Sequence, residues 1–394
     1  MITSQEFYSP PNSALSQELL GRIANMPAHH APRSVDRPLA LYGAGNLGRM
    51  AREYFDRLGI PLSLVTDAKA EQFRRDPFWA GTRVMPPADV DPTTRKSVLL
   101  AVCVATSPYA KLAEGLCSEG WTDVVPFYDI AEAYRDRHPL SNGWFAAPLT
   151  ARDLENIAQV FEAWADDISR AHHLQFVAWR RLRHEWLFKG APVNTENRFF
   201  IPEVSAALTD DESFVDIGAH TGSVTLRFID TVHSRFRAIW AVEPDSENLR
   251  GLRTAISSLP APVRDRIRLI PAVVGSERGE RTFFEGLGYA SQCSALGQSS
   301  LPMETIDDLG LSPSFMKLHL EGAELDALKG CRDTILRHRP IVVTTSYHNH
   351  QGLWELPRWL MGELPHYVFY MRMHGWCGTG AVVYCIPGER VQAR

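Results

Sequence analysis

A buried strand that leads through a glycine-containing turn into a helix constrains the fold of this chain more than any other sequence feature. The run 213–217 is mostly apolar, and Asp216, Gly218 and Gly222 form a D-x-G-x-x-x-G pattern that opens a helical segment at Ser223. Glycine lets the backbone approach a ligand closely, and the start of a helix presents unpaired N–H groups. The segment therefore predicts a ligand-binding turn at the carboxyl end of a strand in an open α/β sheet.

Further apolar runs predict the rest of this sheet. With helices between the first five strands the sheet is doubly wound, and a Rossmann-like domain is expected over residues 200–394. The predicted strands cover residues 213–217, 238–242, 267–270, 315–320 and 341–345, with two more near residues 367–372 and 381–386.

A second strand–turn–helix unit predicts a smaller parallel α/β domain of Rossmann-like type over residues 37–140. Its turn carries Gly43, Gly45 and Gly48 in a G-x-G-x-x-G pattern, and Asp67 ends the next strand. This context meets the structural conditions for dinucleotide binding. Three interpretations stay open: bound NAD in an oxidoreductase, a nucleotide or part of a substrate as the ligand, and a structural domain without a ligand. No hydride-transfer residues stand beside the turn, which disfavours the first.

Two regions lie outside the predicted domains, one before the small domain and one between the two domains. Residues 1–36 predict a peripheral N-terminal arm with a short helix, and residues 141–199 predict a helical connector between the domains. Thr150 and Asp153 have the spacing of a capping box at a helix start.

Arg180, Arg181 and Arg183 form a basic face on the second helix of this connector. We expect that face to be solvated, because amphipathic helices that dock on a domain usually turn their charges outward. His172 and His173 are expected to be ordinary surface or boundary residues. The apolar stripe of the same helix is expected to comprise Phe176, Trp179, Leu182 and Trp186.

Composition excludes some function classes. The formal net charge of −5 gives no electrostatic reason for a nucleic-acid or acidic-membrane partner. The six cysteines form no C-x-x-C pair, and the sequence begins without a secretory leader. It also lacks a continuous apolar run of the length that a membrane-spanning helix needs. We therefore expect a cytoplasmic protein.

The first turn favours a ligand other than a dinucleotide. A pyrophosphate needs the G-x-G-x-x-G form, whereas this turn presents Asp216, which suits a ligand with an ammonium and a carboxylate, such as the methionine end of S-adenosylmethionine. Glu243 ends the next strand and can accept hydrogen bonds from both hydroxyls of a ribose. We expect the two carboxylates to flank one glycine-lined crevice and to bind opposite ends of this nucleoside.

Four segments in the C-terminal half resemble the FkbM family of S-adenosylmethionine-dependent methyltransferases, and they are spread over most of residues 205–345. They are FVDIGAHTGSVTLRFI (214–229), AVEPDSENLRGL (241–252), METIDDLGL (303–311) and FMKLHLEGAELDALKG (315–330). The resemblance implies methyl transfer to a hydroxyl group of a small-molecule acceptor, such as a sugar or another natural product.

The resemblance also implies which residues bind the donor. Asp216, Gly218 and Gly222 would hold its amino-acid end, Glu243 its ribose, and the Ala272–Val273 segment its adenine. Three neighbouring residues complete the predicted cofactor-binding set: Ala219, His220 and Pro244.

One position departs from the family's pattern. Where the family usually has an aspartate in K-[IL]-D-x-E-G, this chain has His319. His319 is either a general base, since an imidazole titrates near neutral pH, or a hydrogen-bonded histidine without a chemical role. The departure also leaves open a non-catalytic module that binds a ligand on a methyltransferase fold.

More histidines follow the fifth strand. On an extended segment His348 and His350 would face the same way, close to His319 and Glu321 on the neighbouring strand. Two interpretations stay open, a divalent-metal site that acidifies the acceptor and a set of side chains that hydrogen-bond the acceptor. The predicted catalytic set is His319, Glu321 and His348, and His374 is a weaker candidate for the same pocket.

Overall fold

The computed structural model describes residues 2–140 and 143–391. Residues 141 and 142, where the predicted connector begins, lie outside the described residues. The N-terminal arm holds a strand, β1 (Thr3–Phe7), which the sequence did not predict, and a helix, α1 (Ser13–Asn25), which buries Leu19, Leu20 and Ile23.

The small domain is built on a five-stranded parallel sheet. Its elements are β2 (Leu39–Tyr42), α2 (Asn46–Leu58), β3 (Leu62–Thr66), α3 (Ala70–Arg74), β4 (Val84–Met85), α4 (Pro92–Ser97), β5 (Leu99–Val102), α5 (Tyr109–Ser118), β6 (Val124–Pro126) and α6 (Phe127–Glu132), with 3₁₀ turns at Pro77–Trp79 and Pro87–Asp89. The strand order is β4–β3–β2–β5–β6. Helix α2 ends at Gly59, which adopts the left-handed conformation that glycine accepts readily.

The connector consists of α7 (Ala151–Ala163), α8 (Asp167–Leu182) and a strand, β7 (His184–Phe188), which pairs in parallel with β1. The Thr150–Asp153 capping box is present. Trp186, expected on the helix, lies on β7, because Arg183 takes a left-handed conformation (φ 58°) that ends α8.

The expectation of a solvated basic face is wrong for two of its three arginines. Arg180 and Arg183 are each 1% exposed. Arg180 donates to the carbonyl of Tyr347, and Arg183 forms an ion pair with the buried Asp129. Both guanidinium groups are therefore held inside the protein by these partners.

His172 and His173, expected near the surface, are also buried, at 1% and 0% exposure. The Nδ1 atom of His173 accepts from the indole N–H of Trp164, and its Nε2 atom contacts the carbonyl of Leu353 at 2.7 Å. Both histidines belong to the core between the connector and the large sheet.

The large domain is built on a seven-stranded sheet. Its strands are β8 (Ser213–Ile217), β9 (Ala238–Val242), β10 (Ile267–Ile270), β15 (Phe315–Leu318), β16 (Ile341–Thr345), β17 (Tyr367–Met373) and β18 (Ala381–Pro387). Its helices are α9 (Pro202–Ala207), α10 (Ser223–Thr231), α11 (Ser246–Ser257), α12 (Ala261–Arg264), α13 (Glu324–Lys329), α14 (Arg332–His338) and α15 (Glu355–Glu363), with 3₁₀ turns at His350–Leu353 and Gly388–Arg390. The strand order is β10–β9–β8–β15–β16–β18–β17, and all neighbours are parallel except those of β18.

The strand order reverses direction at β8, so that β9 and β15 flank it. This is the point at which open α/β sheets bind ligands. The predicted fold class, a doubly wound Rossmann-like domain with a smaller parallel α/β domain and a helical connector, is confirmed. The domain boundaries themselves stay a prediction.

A small four-stranded sheet between β10 and β15 was not predicted. It comprises β11 (Val273–Val274), β12 (Gly279–Phe284), β13 (Gln292–Cys293) and β14 (Ser299–Glu304), with a 3₁₀ turn at Gly288–Ala290. It takes the place of the helix that the doubly wound pattern predicts between the third and fourth strands.

The connector helices cover one face of the large sheet. Phe161 and Phe176 pack in one buried cluster with Val215, Met316 and Val342 of that sheet. Among the described residues, no helix combines the length and the apolar character that crossing a bilayer requires.

Candidate functional site

The carboxyl ends of the two parallel sheets face one cavity of about 880 Å³. Gly43 and Asp67 line it from the small domain, and Gly218, Glu243 and His319 line it from the large domain. The sequence predicted these two glycine-containing turns as separate ligand sites, but both of them border this one cavity. Its volume lies within the range of small-molecule sites, roughly 300–1,000 Å³.

Most of the predicted site residues lie on this cavity. They are Gly218, Ala219, His220, Glu243, Pro244, Ala272, Val273, His319, Glu321 and His348. The two that do not line it are Asp216 and Gly222.

Glu243 is held at the cavity wall by three donors. Its Oε2 accepts from the backbone N–H of His220 at 2.7 Å, and its Oε1 accepts from the N–H of Asp245 at 2.9 Å and from Asn248 at 3.4 Å. Burial raises the pKa of Glu243 above its ordinary value, although these donors oppose that shift. The carboxylate is 5% exposed and fixed in one orientation, as a binding group needs to be.

Asp216 lies behind the cavity wall. It is fully buried, and its Oδ1 is 2.9 Å from the ammonium of Lys317 on the neighbouring strand. Its Oδ2 accepts from the hydroxyl of Thr225 on α10 at 2.7 Å. The expectation that both carboxylates face one crevice therefore holds for Glu243 and not for Asp216.

Lys317 connects Asp216 to the turn that lines the cavity. The same ammonium donates to the carbonyl of Gly218 at 2.7 Å, and Lys317 is 1% exposed. Gly218 has a φ of 76°, and a Cβ at this position would collide with the carbonyl oxygen of His319. Glycine is thus required here both by conformation and by space.

Gly222 has a structural position at the end of the same turn. Its φ is 92°, it is the N-cap of α10, and a Cβ there would meet Leu252 at 2.7 Å.

Three polar side chains meet at one wall of the cavity. The Nε2 of His319 is 3.0 Å from Oε1 of Glu321, and the Nε2 of His348 is 3.2 Å from the same oxygen. The two imidazole rings are stacked with their centroids 5.0 Å apart. We call these three residues the His–Glu–His cluster.

The electrostatics of the cluster differ from residue to residue. Burial lowers the pKa of His319 to about 3, so its imidazole is neutral at pH 7 and a weaker base than a free imidazole. Burial alone would lower the pKa of His348 as well, but the carboxylates of Glu321 and Glu324 outweigh it and raise that pKa. Burial would raise the pKa of Glu321, but His348 and His319 lower it well below its usual range.

Glu324 holds His348 from the other side. Its Oε1 lies 2.6 Å from Nδ1 of His348, and the carboxylate also accepts from Thr345 and from the backbone N–H groups of Leu320 and Gly322. Glu324 therefore fixes the position of His348.

His350 and His374 take other places. The expectation that His348 and His350 face the same way is wrong, because the chain turns at Asn349 into a 3₁₀ helix and leaves His350 exposed. His374 lines the cavity, with Nδ1 2.6 Å from the carbonyl of Asn194 and Nε2 2.7 Å from the hydroxyl of Tyr384.

Sequence reasoning missed several residues of this cavity. The hydroxyl of Tyr347 lies 3.3 Å from Nε2 of His319 and accepts from Arg198 at 2.7 Å. Tyr347 stands beside His348 in the sequence, and Asn248 follows shortly after Glu243, so proximity to predicted site residues was a usable signal for both. Arg198 gave no such signal.

Comparison with known proteins finds a family match within the large domain. Residues 216–373 match the family described as methyltransferase FkbM domain. A search of curated proteins finds no match.

A solved structure agrees with this at the level of the fold. The crystal structure of methyltransferase FkbM from Methylobacillus flagellatus KT is similar, with a TM-score of 0.60 and 17% sequence identity, over 96% of this chain and 94% of that chain. SAH-bound methyltransferase PaMTH1 from Podospora anserina matches with a TM-score of 0.30 and 15% identity, over 67% of this chain and 98% of that chain. Precorrin-6y C5,15-methyltransferase from Geobacter metallireducens GS-15 matches with a TM-score of 0.29 and 16% identity, over 49% of this chain and 90% of that chain. Residues 216–373 of this chain are thus similar to the methyltransferase FkbM domain.

Proposed function

We propose that the protein transfers the methyl group of S-adenosylmethionine to a hydroxyl oxygen of a small molecule. The observation that carries the proposal is one cavity that contains both the Gly218 turn with Glu243 and the His–Glu–His cluster. The first set suits the donor nucleoside, and the second suits a polar acceptor.

The donor is assigned to the walls formed by the carboxyl ends of β8, β9 and β10. Glu243, fixed by backbone donors, accepts hydrogen bonds from the ribose hydroxyls. The turn from Gly218 to His220 receives the amino-acid end, and Ala272 with Val273 contacts the adenine. Asp216 is a positioning residue, because it acts through Lys317 on the carbonyl of Gly218.

Methyl transfer asks for an in-line approach of the acceptor oxygen to the sulfonium methyl. The oxygen lone pair forms the new O–C bond, the C–S bond breaks with its electrons going to sulfur, and the hydroxyl proton passes to solvent water. The His–Glu–His cluster receives this hydroxyl. His319 alone is a weak base, because its pKa is about 3.

The small domain supplies the opposite wall and binds the far part of the acceptor. Gly45 and Asn46 line the cavity at the start of α2, where backbone N–H groups are available to a polar group. Both carboxylate oxygens of Asp67 already accept backbone N–H groups, from Ala44 at 2.8 Å and Lys69 at 2.7 Å. We assign this wall to a saccharide, free or carried on a nucleotide.

Calorimetric titration with S-adenosylmethionine and S-adenosylhomocysteine tests the donor site. Glu243→Gln keeps the size of the side chain but loses the charge, so affinity is expected to fall about 10–100-fold, the equivalent of hydrogen bonds to a charged group. The matched control is Glu247→Gln, an exposed position on the same segment. A wild-type protein that binds neither compound contradicts the proposal.

Turnover is tested by the release of S-adenosylhomocysteine with a panel of saccharides and other hydroxyl-bearing compounds. Methylation at oxygen is read from the product by mass spectrometry and NMR. A protein that binds the donor and releases no S-adenosylhomocysteine with any acceptor supports the alternative, a non-catalytic binding module.

A further inference from the structure

We propose that the His–Glu–His cluster is a binding site for a divalent transition-metal ion. Nε2 of His319, Nε2 of His348 and a carboxylate oxygen of Glu321 all lie within 4.8 Å of one another, and all three residues line the cavity. Two imidazoles and one carboxylate on one side of an ion form a three-ligand set that leaves other coordination positions open.

Two of the three separations between these atoms match those around one ion. Zinc binds imidazole nitrogen at about 2.0–2.1 Å and carboxylate oxygen at about 2.0–2.2 Å, so two ligands at about 90–110° lie about 2.9–3.5 Å apart. The carboxylate oxygen of Glu321 is 3.0 Å from one nitrogen and 3.2 Å from the other.

The protonation of His348 can be read from its partners. Glu324 accepts three further hydrogen bonds, from Thr345 and two backbone N–H groups, which is the pattern of an ionised carboxylate. Its contact of 2.6 Å therefore places a proton on Nδ1 of His348. A carboxylate behind a metal-binding histidine fixes the tautomer and directs the other nitrogen toward the ion.

That other nitrogen, Nε2 of His348, is buried, and the residue is 4% exposed. This nitrogen lies 3.2 Å from the Glu321 oxygen, and no other polar atom of the described residues satisfies it. A bound ion would take both of these atoms as ligands.

The backbone holds Glu321 in an uncommon conformation that completes the cluster. Glu321 has a φ of 50°, and Gly322 follows with a φ of 110°. The carbonyl of Gly322 accepts from the side chain of Asn349 at 2.7 Å, which ties this turn to the segment that carries His348. The two halves of the site are thus fixed relative to each other.

The ligand set favours zinc, manganese, iron or cobalt over magnesium and calcium, which prefer oxygen ligands. Binding of the ion does not depend on the proposed function, but the role of the ion in methyl transfer rests on that function. A hydroxyl on an open coordination position would have a lowered pKa and release its proton to solvent water before its oxygen attacks the methyl group. No side-chain base is then required.

The test uses Co²⁺ and Zn²⁺ with the untagged full-length protein after chelator treatment, without donor or acceptor. We expect one Co²⁺ per chain with visible d–d absorption bands, and displacement of Co²⁺ by Zn²⁺. His348→Ala should weaken binding by about 100-fold or more, and Glu324→Gln by about 10–100-fold, because it removes the carboxylate behind the ligand. His350→Ala, an exposed histidine on the same segment, should bind as the wild type does.

Circular dichroism checks that each variant folds. If His348→Ala does not fold, His319→Asn serves as the second ligand variant. Wild-type protein that binds neither ion at millimolar concentration overturns the proposal, as does equal binding by His348→Ala. Because the titration contains no S-adenosylmethionine, failure here leaves the calorimetric test of donor binding intact.

Discussion

Replacing Lys317 with methionine separates two roles for Asp216, direct donor binding and support of the cavity wall. The substitution removes an ammonium that lies 2.9 Å from the Asp216 carboxylate and 2.7 Å from the Gly218 carbonyl. Both side chains are at most 1% exposed, so the remaining carboxylate would stay buried with the Thr225 hydroxyl as its hydrogen-bond donor. Breaking a buried pair in this way costs about 3–5 kcal/mol of unfolding free energy.

The effect on donor affinity distinguishes the two roles. If Asp216 bound the ammonium of the donor directly, Lys317 would compete for it, and Lys317→Met would raise the affinity for S-adenosylmethionine. If Asp216 and Lys317 together position the Gly218 carbonyl, the same substitution loosens the turn and lowers the affinity. We expect the second result.

Urea unfolding and calorimetry with S-adenosylhomocysteine measure both quantities. The double variant Asp216→Asn/Lys317→Met removes both charges. Its loss of unfolding free energy should be smaller than the sum of the two single losses by about 2–3 kcal/mol. Lys329→Met, at an exposed lysine, is the control. It should change stability by less than about 0.5 kcal/mol. Higher donor affinity in Lys317→Met, or additive single effects, would refute this reasoning.

Further predictions concern three glycines and two buried histidines. Gly218→Ala should destabilise the protein and abolish donor binding in calorimetry, because its Cβ collides with a carbonyl. By contrast, Gly115→Ala, with open space in a helix, should stabilise the protein by about 0.5–1 kcal/mol. Gly45→Leu projects into the cavity without meeting other atoms at its Cβ, so steady-state kinetics should show a higher KM for the acceptor at unchanged donor affinity. Burial lowers the pKa of His172 and His173 to about 4. Stability to urea should therefore fall as the pH drops from about 6.5 toward 4, by up to about 3 kcal/mol per histidine, and a His172→Asn/His173→Gln variant should show a smaller drop.

The large sheet was predictable because its strands are buried on both faces. Such strands read as continuous apolar runs, and β8, β9, β10 and β16 have the predicted bounds. The small sheet of β11 to β14 escaped because its strands are short or mostly exposed, as in β12, where four of six residues are exposed. Exposed short strands carry neither a continuous apolar run nor a helical period.

The connector shows the limit of reading burial from residue type. Arginine is usually exposed, so a basic stripe predicts a solvated face. Arg183 is buried because Asp129 and three backbone carbonyls surround its guanidinium, and those partners lie far away in the sequence except for two in the preceding turn. Residues that are distant in sequence decided its placement, and a helical pattern does not contain them.

The site follows a simpler rule than its chemistry suggests: after six of the parallel strands, the residue that directly follows the strand faces the cavity. The residues in this position after β2, β3, β5, β8, β9 and β15 are Gly43, Asp67, Cys103, Gly218, Glu243 and His319, and all of them line it. Asp216 is still inside β8, where side chains point alternately to the two faces of the sheet, and its carboxylate meets Thr225 of the covering helix instead. The sequence pattern D-x-G thus places an acid next to the cavity but not in it, whereas Glu243 and His319, each one step beyond the strand, are positioned to contact a ligand. The position of a residue relative to the end of its strand, rather than its place in a sequence motif, therefore decides whether it can contact the ligand or only supports residues that do.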